Sequence, residues 1–138
     1  MRMNLYLAVL VVALLLAVSM PLIAHHAFGS EFDPNRPVLL KGKVVKVEWV
    51  NPHTWIHVEV TNPDGSREVW MIEGGSPNTL IRLGVTKYTV KVGTELTIEG
   101  YQAKEGTNKA VGRNFVLADG TRLFLSLNGA VPGGAEDK

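Results

Sequence analysis

The sequence predicts a mainly β protein of one domain: a small five-stranded barrel with one short helix between strands 3 and 4. An antiparallel β-sandwich of similar strand count is the alternative. Three observations carry this expectation. Short runs of alternating apolar and polar residues are separated by turns rich in Gly, Pro, Asn and Asp. Past the N-terminal apolar run, only the stretch from Ser76 to Gly84 bears helix start and stop signals. With 138 residues, the chain holds at most one domain.

Residues 1–24 read as a signal peptide. Arg2 is followed by an apolar run from Leu5 to Ala17, then by Ser19, Pro21 and the small residue Ala24. Cleavage after Ala24 makes His25 the first residue of a periplasmic or secreted protein. Because Leu5 to Ala24 is long enough to span a bilayer, the alternative is a segment that stays uncleaved and anchors the chain in the inner membrane. Loss of Arg2 leaves 13 basic and 13 acidic side chains. Such balance gives no basic footprint for nucleic acid. The chain has no cysteine, so neither disulfides nor thiolate ligands are available.

Residues 25–37 form a polar, proline-punctuated arm whose large apolar anchors are Phe28 and Phe32. The barrel domain is expected over 38–127. Strand 1 covers 38–49, and its apolar parity changes: Val38, Leu40 and Val44 share one face, Val45, Val47 and Trp49 the other. A bend or bulge does this, with Gly42 the natural bend point. Val45 and Val47 are assigned to the core, and Lys46 to the outside. After the Asn51-Pro52-His53 turn, Thr54, Ile56, Val58 and Val60 form the core face of strand 2, with His53, Trp55, His57 and Glu59 opposite. Asn62-Pro63-Asp64-Gly65 turns the chain into strand 3, Arg67 to Glu73.

Ser76 and Pro77 are the N-cap and first residue of a two-turn helix carrying Leu80, Ile81 and Leu83, and Gly84 stops it. Strand 4 runs from Glu95 to Tyr101, with Leu96 and Ile98 inward. Strand 5 spans about Ala110 to Leu117, and Asp119-Gly120 turns it back through Arg122 to Leu125. The tail, 128–138, has nothing to bury and is expected to be disordered. Three strands, a helix and two more strands, with a long bent first strand, is the order of an oligonucleotide/oligosaccharide-binding (OB) barrel.

The chemistry of the sequence is concentrated in its imidazoles: His25, His26, His53 and His57 all fall in the first half. If His25 is the mature N-terminus, its α-amine and ring can chelate one ion, and a further imidazole completes a three-nitrogen set suited to Cu(II). If cleavage falls one residue earlier, Ala24-His25-His26 is itself an amino-terminal copper site. Zinc would want four ligands in a closed site. The metal candidates are therefore His25, His26, His53 and His57. The other reading places the first two in a processed end and lets His53 cap its turn.

For a small ligand, Trp49, Asn51 and Trp55 surround the first turn, with core packing the alternative role for the tryptophans and Trp70. The helix start at Gly74-Gly75-Ser76 is an anion candidate weakened by Pro77, which removes a donor. Glu48, Glu59 and Glu73 read as isolated carboxylates. Neither G-x-S-x-G, H-E-x-x-H nor a phosphate loop occurs, so the reading is a non-enzymatic binding protein. Its two forms are a copper-binding protein, and a metal-free OB-type module for a small ligand or envelope protein partner. Neither form engages nucleic acid, and membrane association would require an uncleaved N-terminal segment.

His25-His26-Ala27-Phe28, Glu31-Phe32-Asp33, Lys41-Gly42-Lys43-Val44, Glu48-Trp49, Asn51-Pro52-His53-Thr54-Trp55, Gly75-Ser76-Pro77-Asn78 and Glu99-Gly100-Tyr101 together resemble the DUF6152 family, small exported bacterial proteins of unknown function. The resemblance covers His25 to about Leu125 and implies no activity or catalytic residues. One departure is Gly74, where an apolar residue is expected; the change should loosen the approach to the helix.

Overall fold

The computed structural model describes residues 31–126. Among these described residues, six strands and one helix follow in the order β1 (Phe32–Glu48), β2 (Trp55–Thr61), β3 (Arg67–Glu73), α1 (Pro77–Arg82), β4 (Glu95–Ala103), β5 (Lys109–Leu117) and β6 (Arg122–Leu123). Hydrogen bonding runs β3-β2-β1-β4-β5-β6, and a parallel pairing of β3 with β5 closes the first five strands into a ring. A closed ring in the order 1-2-3-5-4 with the helix after strand 3 is an OB-type barrel. Closure sets the sandwich alternative aside.

One strand serves both halves of the barrel. Gly42 and Lys43 pair with Val60 and Glu59 of β2 and also with Leu96 and Glu95 of β4. A Cβ on Gly42 would run into the carbonyl oxygen of Glu59, so glycine is required where β1 bends this closely over β2. The register irregularity lies between Val44 and Lys46. It turns Val44 wholly inward, 0% exposed, and leaves Val45 39% exposed. The expectation that Val45 belongs to the core is thus corrected: the extra residue of the bulge is Val45, and Val47 behind it is only half-buried.

β1 also begins at Phe32, six residues before the expected Val38. Pro34 and Pro37 argue against a strand, yet Phe32 pairs with Ala103 and regular pairing resumes at Pro37 after an irregular stretch. The arm is therefore partly strand. Residues 1–30 and 127–138, including the expected signal peptide, His25, His26, Phe28 and the tail, lie outside the described residues.

Inside the ring, Leu40, Val44, Ile56, Val58, Ile72, Leu96, Ile98 and Phe115 are buried, with Trp70 among them. Helix α1 closes one end. Ser76 caps it, its Oγ accepting from the Thr79 N–H at 3.2 Å, and Pro77 stands in the first turn. Leu80, Val85 and Val90 carry this closing segment into the core. Gly74 does not loosen it: its N–H donates to the Thr54 carbonyl at 2.8 Å, and a Cβ there would come 2.7 Å from the Leu125 carbonyl oxygen. The final segment packs so closely that glycine fits where an apolar side chain was expected. A second, smaller cluster of Phe32, Ala103 and Val111, with Tyr101 beside it, lies on the outer side of the sheet.

Candidate functional site

The strand register brings polar side chains into two neighbouring rows on the outer face. Glu48, Trp55, Glu73 and Val111 oppose one another across β1, β2, β3 and β5. One step along, Lys46, His57, Met71 and Lys109 do the same. Directly opposed residues project from the same side of a sheet, so the two rows form one surface.

Two carboxylate–histidine pairs grow from it. In the first, the turn before β2 delivers His53, whose Nδ1 contacts Glu73 Oε1. That turn contains a cis Asn51–Pro52 peptide bond. Glu73 is only 3% exposed, and its Oε2 has no hydrogen-bond partner. Burial pushes the Glu73 carboxyl above the ordinary range; His53 beside it pulls the other way, Glu31 adds to the rise, and Lys109 opposes it. Lys109 pairs with Glu31 and lies over the Trp55 ring, 4.9 Å from its centroid. In the second pair, His57 Nε2 meets Glu48 Oε2 at 2.7 Å while Lys46 Nζ meets Glu48 Oε1 at 2.7 Å. Hydrogen bonding, first from Lys46 and then from His57, holds the Glu48 carboxyl below its ordinary value.

The expected site residues therefore separate. His53 and His57 stand on different carboxylates. Trp55 belongs to the outer surface with His53's partner, whereas Trp49 is half-buried against the main core and Asn51 is exposed. Trp70 fills the core, its Nε1 donating to Glu68 at 3.0 Å. The reading of Glu48 and Glu73 as isolated carboxylates is corrected, because each holds a histidine. Glu59 has an exposed partner in Arg67 at 3.5 Å. His57, expected to be exposed, is half-buried by its own pairing.

Sequence reasoning missed Glu31, Glu73 and Lys109. Counting back from the Asn62–Ser66 turn opposes Glu73 to Trp55, so that carboxylate was within reach. The other two meet only through barrel closure and the arm. Among the described residues no group of three or more His, Asp or Glu side chains is arranged to hold a metal ion. As for the helix start, α1 has only six residues.

No curated protein matches the chain. Among solved structures it is similar to the mitochondrial single-stranded DNA binding protein Rim1 of S. cerevisiae, with a TM-score of 0.46 and 13% identity over 59% of this chain and 92% of that one. At that distance the barrel assignment rests on strand order and closure. Residues 12–113 match a family of unknown function, and the chain belongs to it: the DUF6152 family.

Proposed function

We propose that this is an exported, periplasmic, non-enzymatic binding protein that holds a copper ion with His53 and the N-terminal His25 and His26. The arrangement of His53 carries the reading. A metal-ligating histidine characteristically gives its second ring nitrogen to a carboxylate, which fixes the ring and strengthens it as a ligand. Glu73 takes Nδ1 in this way, and Nε2 has no partner among the described residues.

Charge favours a cation at the same place. When Glu31 and Glu73 are both ionised, Lys109 balances only one of them, and a bound cation would balance the other. Chain entry supports the remaining ligands. Glu31 is one of the groups acting on Glu73, and Phe32 next to it is buried. The five residue steps from His26 to Glu31 span at most about 18 Å. Nitrogen ligands from an α-amine and imidazoles suit Cu(II) over the other common divalent ions.

The test uses protein isolated from its native compartment, its first residue fixed by intact mass, and Cu(II) titrated against a competing chelator. One tight site is expected. His53→Ala should weaken it at least tenfold, and Glu73→Gln by about tenfold or more. Because protons compete for the ligand nitrogens, binding should weaken as the pH falls. Affinity unchanged in both variants would overturn the copper reading and leave the metal-free module for a small ligand or envelope partner.

A further inference from the structure

The closing segment after β3 carries a second surface. Leu80, Val85 and Val90 point into the barrel, so the residues between them are driven to the outside. Three large apolar side chains of the segment, Ile81 and Tyr88 between those positions and Val92 just after them, are 55%, 69% and 68% exposed. None of the described residues covers them. Arg82, Lys87 and Lys91 are interleaved with them and are exposed too. From Gly74 to Thr94 there is no carboxylate, although acidic side chains match basic ones closely elsewhere. Lys87 lies over the Tyr88 ring, 5.0 Å from its centroid.

We infer that this end of the barrel docks on the surface of an anionic lipid bilayer. Apolar side chains alone would fit many partners, but cations set among them without a single acid fit a surface that is apolar beneath and negative on top. Tyrosine suits the boundary, since its ring is apolar and its hydroxyl polar. Ile81, Tyr88 and Val92 enter the headgroup boundary while Arg82, Lys87 and Lys91 meet lipid phosphates. No described helix is long and apolar enough to cross a bilayer, and the contact is with its surface. The polar outer face with His53 and Glu73 takes no part.

The absence of cysteine allows a single dye to be placed at will. An environment-sensitive dye on Val92→Cys of the full chain reports this face. The same dye on Pro63→Cys reports the β2–β3 turn, a seven-residue strand away from the helix, about 20 Å. Whether or not residues 1–24 are retained, the two positions report locally. With vesicles of phosphatidylcholine and phosphatidylglycerol (7:3), emission from position 92 should shift to the blue and emission from position 63 should not. Replacing Arg82, Lys87 and Lys91 together by Gln should weaken the vesicle dependence of that shift about a hundredfold, since each cation near an anionic surface contributes roughly equally. Pure phosphatidylcholine should likewise give a much weaker response. Equal shifts at the two positions, a shift indifferent to phosphatidylglycerol and to the three cations, or silence at position 92 with all vesicles would each overturn the inference; the last would leave the face to a protein.

Discussion

Truncating two adjacent valines, Val44 and Val45, tests where β1 changes faces. Val44 is fully buried, and its backbone is fixed on both sides: its N–H donates to the Thr94 carbonyl at 2.8 Å, and its carbonyl accepts from the Gly93 N–H at 2.7 Å. Val44→Ala removes two carbons from the core, about 1.6 kcal/mol of transfer free energy. Held at both backbone groups, the site has little freedom to collapse, so a cavity contribution of about 1 kcal/mol is added. The expected loss is about 2.5 kcal/mol. Val45 stands outward at the bulge, and its truncation should cost about 0.5 kcal/mol or less. Urea unfolding followed by tryptophan fluorescence and far-UV circular dichroism measures both, with an unchanged m value showing that stability alone has altered. If Val45→Ala costs as much as Val44→Ala, the bulge is not at this position and the register of β1 against β2 is wrong.

Glu73→Gln should remove a pH dependence of stability. Because burial raises the folded carboxyl above its ordinary 4.5, the native state binds more protons than the unfolded chain just above that pH. The wild type therefore loses stability from this group as pH rises through 4.5 and on through the raised folded value. Urea midpoints from pH 4 to 7 should show the wild type falling relative to the Gln variant, and a constant difference would refute the assignment. Gly100→Ala would drive a Cβ into the Val111 carbonyl oxygen, which backbone pairing prevents from moving; a loss of about 3 kcal/mol is expected in thermal unfolding. Gly65→Ala, at φ 84° with no atom within 4 Å of the added carbon, should cost only about 1 kcal/mol. Copper affinity should be unchanged within about twofold in His57→Ala, measured as for His53→Ala, because His57 stands on Glu48 and His53 on Glu73.

Legibility followed the range of the signal. The β2–β3 hairpin could be read to the residue, since Asn62-Pro63-Asp64-Gly65 fixes the register and the alternation on either side agrees with it. The helix was equally plain from Ser76, Pro77 and Gly84. The bulge in β1 was legible as a parity change, but not its position: Val44 and Val45 are chemically identical, and the choice is made by Thr94 and Gly93, some fifty residues on. Likewise, Glu31 and Lys109 are 78 residues apart and meet only because β5 closes beside β3. The start of β1 was hidden by Pro34 and Pro37; the first falls in the irregular stretch, and the second stands at its end, where regular pairing resumes.

The two carboxylate–histidine pairs show why environment, and not residue type, separates their chemistry. His57 faces Glu48, but Lys46 already occupies the other oxygen of that carboxylate, and its hydrogen bond is the largest influence keeping it ionised. A cation brought there would displace a bond that is already made. His53 faces Glu73, whose second oxygen is buried and unmatched, and whose nearest lysine is committed to Glu31. Unmatched negative charge in a buried place is unfavourable, and the protein answers by raising the carboxyl's proton affinity. A metal ion bound at His53 would perform the same compensation without the proton. Its binding should therefore release a proton from this pair, an effect with no counterpart at Glu48 and His57.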